Sequence, residues 1–429
     1  MKEVKVGIIG FGTVGSGVAE CLLKNGDVIA KRSGIKLVLA RIADLDIEKD
    51  RGVKIPENVL TKDTKQLIKD VDVVVELIGG TTLAKDLILE ALRLGKPVVT
   101  ANKALLAEKG EELFAAAEKS EADIYYEASV AGGIPIIKAL REGLVGNRIE
   151  KIYGIMNGTC NYILTRMERE NVDFALVLKD AQALGYAEAE PSLDIDGWDT
   201  AHKAAILASL AYGEWFGVKP IHVQGIRNIS LADLRYADEL GYRIKLLAVI
   251  KQIDGDVQIR VHPTLIPKKA MLAGISEVFN GVMVVGDTVG GTLFYGRGAG
   301  RQATASAVVA DLVDVALNLK FGSHRRVPAF RIGPQFKNLI PMEEVESRYY
   351  LRLQVQDKPG VVAKIAGILG ERKISISSIV QKEGQSEDNV SLLILSHLAL
   401  EKSVSSAISE IEKMTEIRDK VKLIRIEDI

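Results

Sequence analysis

The segment Gly7-Ile8-Ile9-Gly10-Phe11-Gly12-Thr13-Val14-Gly15-Ser16-Gly17 constrains the chain more than any other stretch. It places Gly10-x-Gly12-x-x-Gly15 between an apolar run at residues 4–9 and a helical pattern at 13–25. In a βα unit each glycine has a separate task. Gly10 permits the tight turn, Gly12 lets a pyrophosphate approach the backbone, and Gly15 lets the helix pack close to the strand. The open N–H groups of the following helix favour the anion. Further β-rich runs at 36–42, 72–77, 97–100 and 123–127 alternate with helical patterns at 83–94 and 104–119. That alternation implies a parallel sheet wrapped by helices.

The reading is therefore α/β, a Rossmann-type dinucleotide-binding domain over residues 1–132, with a helix near 300–320 returning to pack on it. Gly10, Gly12, Thr13, Val14 and Gly15 line the coenzyme. Its 2′ position stays open, because the second strand ends at Arg41-Ile42-Ala43-Asp44. Asp44 could hydrogen-bond a ribose diol and favour NAD, whereas Arg41 could face a 2′-phosphate and favour NADP. Side-chain direction at that strand tip decides between them.

Residues 133–299 mix long helical stretches with β-rich runs at 242–251 and 282–289, which reads as an α+β domain. Within it the segment from Trp198 to Leu210 is apolar on nearly every side, yet carries Asp199 and Lys203 on one face. A lysine entering a buried stripe needs a partner. Residues 322–347, with Pro328, Pro334 and Pro341, read as a linker. Residues 348–429 then follow a βαββαβ order, the pattern of a ferredoxin-like sandwich.

A net charge of -1 with no long basic run gives no electrostatic case for nucleic acid. Cys21 and Cys160 lie far apart, without metal-type spacing. No apolar run is long enough to span a membrane, and the chain enters its first strand without room for a signal peptide. The expected location is the cytoplasm.

The run Ala181, Gly185, Pro191, Asp194, Gly197, Asp199, Lys203 resembles the homoserine dehydrogenase signature. Val99-Thr100-Ala101-Asn102-Lys103, Asn157-Gly158-Thr159-Cys160-Asn161-Tyr162 and Gly298-Ala299-Gly300 resemble further motifs of that family, in its order. The resemblance implies reversible oxidation of L-homoserine to L-aspartate 4-semialdehyde with NAD or NADP, in threonine, methionine and isoleucine biosynthesis. It makes Lys203 the proton donor and acceptor, with Asp199 orienting it and Lys103 beside substrate and nicotinamide. It assigns Glu188 and Asp194 to the substrate, and Thr100, Lys103, Gly185 and Gly300 to the coenzyme. It also implies a structural sodium ion on Glu127 and the carbonyls of Val130, Gly132 and Ile134. Departures are Glu190, where the family has Asp, Asn or Ser, and Leu83, Arg297 and Ala303, which replace prolines.

Asp357-Lys358-Pro359-Gly360-Val361 and Ile374-Ser375-Ile376 resemble the ACT domain. That implies paired copies, in a homodimer or homotetramer, and feedback by an amino acid, with threonine the family's usual effector. Two alternatives stay open: a related dehydrogenase with another substrate, which Glu190 favours, and a non-catalytic sensor, which the set Lys103, Glu188, Asp194, Asp199 and Lys203 disfavours. With no kinase-sized segment ahead of Gly10, fusion to an aspartate kinase is not expected.

Overall fold

The structure is a computed structural model describing residues 1–331, 336, 338–381 and 389–429; Pro334 lies outside the described residues. The chain opens with β1 (Lys2–Ile9), α1 (Thr13–Ser33), β2 (Ile35–Ala43), β3 (Leu60–Thr61), α2 (Thr64–Asp70) and β4 (Val73–Glu76). It continues through α3 (Leu83–Arg93), β5 (Val98–Thr100), α4 (Lys103–Lys119), β6 (Ile124–Tyr125), α5 (Ile136–Lys138) and β7 (Ile149–Ile155). Four helices follow: α6 (Gly158–Glu170), α7 (Phe174–Ala183), α8 (Ser192–Ile195) and α9 (Trp198–Tyr212). Next come β8 (His222–Val223), α10 (Leu231–Glu239), β9 (Tyr242–Ile253), β10 (Asp256–Pro267), β11 (Phe279–Gly286), β12 (Gly290–Arg297) and α11 (Arg301–Phe321). The last elements are β13 (Glu346–Val355), α12 (Val361–Glu371), β14 (Ile376–Gln381), β15 (Val390–Ser396), β16 (Ala399–Leu400), α13 (Glu401–Ile411) and β17 (Lys422–Ile426).

These elements form two compact units, the first comprising Met1–Gly158, Asp199–Ile221 and Val278–Lys337. Its parallel sheet runs β3-β2-β1-β4-β5-β6, with β1 at the point where strand order reverses. Ligands of such sheets bind at the carboxyl edge of that point. Helices α1 and α11 cover one face: Val18 and Leu22 pack with Ala305, Val308 and Leu312 in a core that includes Val4, Val6 and Ile8. The approach is tight, since a Cβ on Gly17 would stand 2.6 Å from the Arg301 carbonyl oxygen. β12, β11 and β7 pair in antiparallel within this unit.

The second unit comprises Thr159–Trp198, His222–Glu277 and Asn338–Ile429. Strands β17-β13-β15-β14, with α12 and α13, build the anticipated βαββαβ sandwich around Leu351, Leu353, Ile365, Leu392 and Val404. Its sheet does not end at β17. That strand pairs in parallel with β10, and β10 in antiparallel with β9. Sequence alternation did not reveal β10, because Arg260, His262 and Pro263 interrupt the apolar run and proline argues against an inner strand. Glu427, just past β17, ion-pairs with both Arg260 and Lys251, so a partner far along the chain compensates the buried charge.

Candidate active site

The glycine turn forms because β1 ends where its backbone must reverse into α1. Gly10 has φ +99°, and a Cβ on Gly15 would lie 2.0 Å from the Gly10 carbonyl oxygen. Neither position accepts a side chain. Gly12 precedes α1 without a side-chain cap, and the space where its Cβ would project is open. The first N–H groups of α1 are thus available to a phosphate.

At the tip of β2 the two candidates for the 2′ position turn in different directions. Asp44 turns toward the glycine turn: its Oδ2 accepts the Phe11 N–H at 2.6 Å and its Oδ1 the Asp46 N–H at 2.9 Å. Arg41 turns elsewhere, donating to the Asn58 carbonyl and lying 3.5 Å from Asp70. A cation that stands beside Asp44 is Arg51, which the sequence reading did not single out. Its Nη2 is 3.1 Å from Asp44 Oδ1, and its guanidinium lies over the Phe11 ring, 5.3 Å from the centroid. No local pattern marks Arg51, because it arrives on an irregular loop.

Helix α9 carries Asp199 and Lys203 one turn apart, both buried. Lys203 Nζ donates to Asp199 Oδ2 at 2.6 Å and to the Met156 carbonyl at 2.7 Å. The other carboxylate oxygen, Oδ1, lies 3.2 Å from Lys103 Nζ at the start of α4. Asn157 adds an amide donor to Oδ2 at 2.9 Å. Burial works to raise the Asp199 carboxyl, but the Lys203 and Lys103 ammonium groups outweigh it and hold the group well below the usual carboxylate range. Asp199 is therefore a fixed anion between two lysines 100 residues apart in sequence. His202 beside it is 8% exposed, and burial holds its imidazole below the ordinary value.

Lys103 reaches this point because Asn102 caps α4, its side chain accepting the Leu105 N–H at 3.1 Å. Thr100, assigned to the coenzyme by resemblance, is fully buried and spends its hydroxyl on Glu76 at 2.7 Å. Gly300, with φ +114°, precedes α11 and is exposed. Gly185, Glu188 and Asp194 belong to the second unit. Gly185 and Glu188 are exposed, the Glu188 carbonyl accepts from Gln182 at 3.1 Å, and the Asp194 carbonyl accepts from Cys160 Sγ at 3.2 Å. Glu190 accepts from the Ser192 N–H at 3.2 Å, which ties the substituted position into its own loop.

Glu127 lies in a short turn after β6 rather than within the strand, and is 4% exposed. Its carboxylate accepts the N–H groups of Ile137 at 2.9 Å and Lys138 at 2.7 Å, and its own N–H donates to Asp311 at 2.8 Å. Burial pushes the Glu127 carboxyl up to about 7 and lifts Asp311 well above its usual range. Val130 and Ile134 are buried nearby in sequence, and Ala131 and Gly132 both have positive φ, 54° and 52°. A buried carboxylate is a hard oxygen donor of the kind that suits a small hard cation. Among the described residues, no three His, Cys, Asp or Glu side chains gather as a metal cage.

Residues 10–127 match the family model described as homoserine dehydrogenase, NAD binding domain; 135–313 match homoserine dehydrogenase, and 349–416 match the ACT domain. The homoserine dehydrogenases of Neisseria gonorrhoeae and Pseudomonas aeruginosa are each 46% identical to this chain, with both proteins covered in full. The crystal structure of a homoserine dehydrogenase from Thiobacillus denitrificans superposes with a TM-score of 0.94 at 45% identity, covering 100% of this chain and 99% of that one. A hyperthermophilic archaeal homoserine dehydrogenase in complex with NADPH covers 75% of this chain at 29% identity, with all of its own chain covered and a TM-score of 0.62. With its glycine turn, its buried lysine–carboxylate pair and its C-terminal ACT domain, the chain belongs to the homoserine dehydrogenase family and is an oxidoreductase acting on the CH–OH group of homoserine with NAD(P).

Proposed function

We propose that Lys203 takes the hydroxyl proton of L-homoserine and returns it when L-aspartate 4-semialdehyde is reduced. The observation that carries this reading is the buried carboxylate of Asp199, held between Lys203 and Lys103. To take a proton Lys203 must start as the neutral amine, whose two N–H bonds go to Asp199 and Met156 and whose lone pair occupies the third position. The third is the direction through which a proton passes to or from an alcohol. Bound coenzyme supplies the hydride acceptor for the carbinol carbon. Asp199 holds the amine in line, and Lys103 steadies the oxygen as charge develops there. Glu188, with Asp194, holds the substrate ammonium, and Gly185 and Gly300 meet the coenzyme through backbone; these roles rest on the family resemblance.

The coenzyme edge supports use of NADP as well as NAD. Both oxygens of Asp44 are engaged by protein donors, and Arg51 stands beside them. The test is homoserine oxidation with each coenzyme, with and without threonine. Turnover is expected with both coenzymes, with threonine lowering the rate through the ACT domain. Arg51→Ala should raise KM for NADP about tenfold and change KM for NAD less than about threefold. Failure of homoserine to turn over with either coenzyme would end the reading, and equal changes for both coenzymes would remove Arg51 from it.

Sodium at Glu127, with the carbonyls of Val130, Gly132 and Ile134, belongs to the same reading. The folded protein holds the Glu127 proton more tightly than the unfolded chain, so this residue's contribution to stability is complete below about pH 4.5 and is lost as pH rises through about 7. That loss amounts to about 3 kcal/mol for a shift of this size. A bound cation favours the charged carboxylate and removes the loss. Exchanging sodium for choline should therefore lower the melting temperature by a few degrees at pH 8 and leave it unchanged at pH 4. Equal melting temperatures in the two salts at pH 8 would rule sodium out.

The domain assignment is residues 1–132 with the 300–320 helix for coenzyme, 133–299 for substrate and assembly, a linker at 322–347 and 348–429 for regulation. A homodimer or homotetramer working in the cytoplasm, in threonine, methionine and isoleucine biosynthesis, completes the proposal.

A further inference from the structure

Glu76 ends β4 at 0% exposure, following Val73, Val74 and Val75, which are equally buried. Removing a carboxylate from water costs several kcal/mol unless donors replace the lost hydration. Here the replacement comes from two loops at the carboxyl edge of the sheet. Oε1 accepts the N–H groups of Ile78 at 2.9 Å and Gly79 at 3.3 Å, and Oε2 accepts the Thr100 hydroxyl at 2.7 Å. Among the described residues no lysine or arginine ion-pairs with it. Glu76 and Thr100 are already register partners in neighbouring strands, so joining β4 to β5 does not need a charge. Apolar side chains in such places are often as stabilising as buried ionic ones.

What the carboxylate does organise is the chain leading to Lys103. The Thr100 hydroxyl that donates to Glu76 also accepts the Asn102 N–H at 3.0 Å. Asn102 then spans the two loops, donating to the Gly80 carbonyl at 2.7 Å and accepting the Leu105 N–H at 3.1 Å. Lys103 is the next residue and starts α4, with Nζ 3.2 Å from Asp199. The 77–80 loop also abuts the glycine turn, since a Cβ on Gly10 would meet the Leu77 carbonyl at 2.7 Å.

We propose that Glu76 is a positioning residue for the reaction: it fixes, through Thr100 and Asn102, the helix start that sets Lys103 against Asp199. This rests on the assignment of Lys103 to the proton-handling pair. Neither the strand pairing nor the helix cap alone would relate Glu76 to turnover, but the relay of hydrogen bonds does.

The test uses the full-length enzyme and steady-state homoserine oxidation. Glu76→Gln keeps the shape and one acceptor oxygen but loses the second. It should lower kcat about ten- to a hundredfold while KM for homoserine changes less than about threefold. Glu76→Ala loses both acceptors and should fall further; if it does not fold, the isosteric variant carries the test. In a Lys103→Ala background, Glu76→Gln should cost less than about threefold in kcat, because its route to the chemistry is already gone. A lower melting temperature with unchanged kcat per folded enzyme would make Glu76 structural only. So would equal costs in the two backgrounds. Full activity of Lys103→Ala alone overturns the Lys103 assignment together with this proposal, whereas the other two outcomes overturn the Glu76 proposal alone.

Discussion

Replacing Lys203 with methionine is expected to lower kcat for homoserine oxidation about a thousandfold, with coenzyme affinity changed less than about threefold. Methionine keeps most of the buried stem of a residue that is 8% exposed, and removes only the amine. The Asp199 carboxylate keeps Lys103 at 3.2 Å and Asn157 at 2.9 Å, so it is not left without partners. The Asn157 and Met156 side of the site is held by β7 and the turn after it, which the substitution does not touch. Loss of rate without loss of coenzyme binding separates a proton carrier from a residue that shapes the nucleotide domain. Titrating the variant with each coenzyme, beside steady-state kinetics, measures both. Turnover within tenfold of the wild type would remove Lys203 from the chemistry.

Replacing Asp199 with alanine should act differently, lowering kcat about a hundredfold and destabilising the fold by about 3–5 kcal/mol. Lys103 is about a third exposed at its side chain and can turn to water at little cost. Lys203 cannot: its remaining hydrogen bond is to the Met156 carbonyl, within a helix whose neighbouring Ala204, Ala205 and Leu207 are 0% exposed. Removing the anion leaves a buried cation uncompensated, which is the expensive case for an ion pair. Urea unfolding midpoints of the two variants give the comparison, with Asp199→Ala well below Lys203→Met. Equal midpoints would mean that Asp199 does not stabilise the buried lysine, and the orienting role would lose its physical basis.

The parts of this protein that were legible in its sequence depend on neighbours a few residues away. The glycine turn, α1, the alternation of β1, β2, β4 and β5 with helices, and the βαββαβ order of the C-terminal segment all follow from local spacing and apolar period. Short β3 and α2 fall below that resolution. β12 was missed because it opens with two glycines and buries little. β10 was missed for the opposite reason: its burial is nearly continuous, and its polar members are compensated by Glu427 from past the last strand.

The candidate site divides along the same line. Lys203 and Asp199 share a helix face, so their pairing is written in the spacing of four. Family resemblance supplied Lys103, but nothing local in the sequence placed its ammonium on the other oxygen of Asp199. Glu76, Asn157 and Arg51 had no role assigned from sequence, because their hydrogen-bond partners lie 24, 42 and 7 residues away, on strands and loops with no shared period. Arg41 and Asp44 show the limit most clearly. Both stood at the β2 tip as candidates, and only the folded loop turned Asp44 to Phe11 and Arg41 to Asn58.

By itself, the sequence determined the kind of chemistry: a dinucleotide turn, a lysine on a buried helix and an ACT-like tail are carried by short-range pattern. Tertiary structure alone decided which charges face one another. Those directions depend on distances between segments far apart in the chain, and burial sets how strongly each charge is felt.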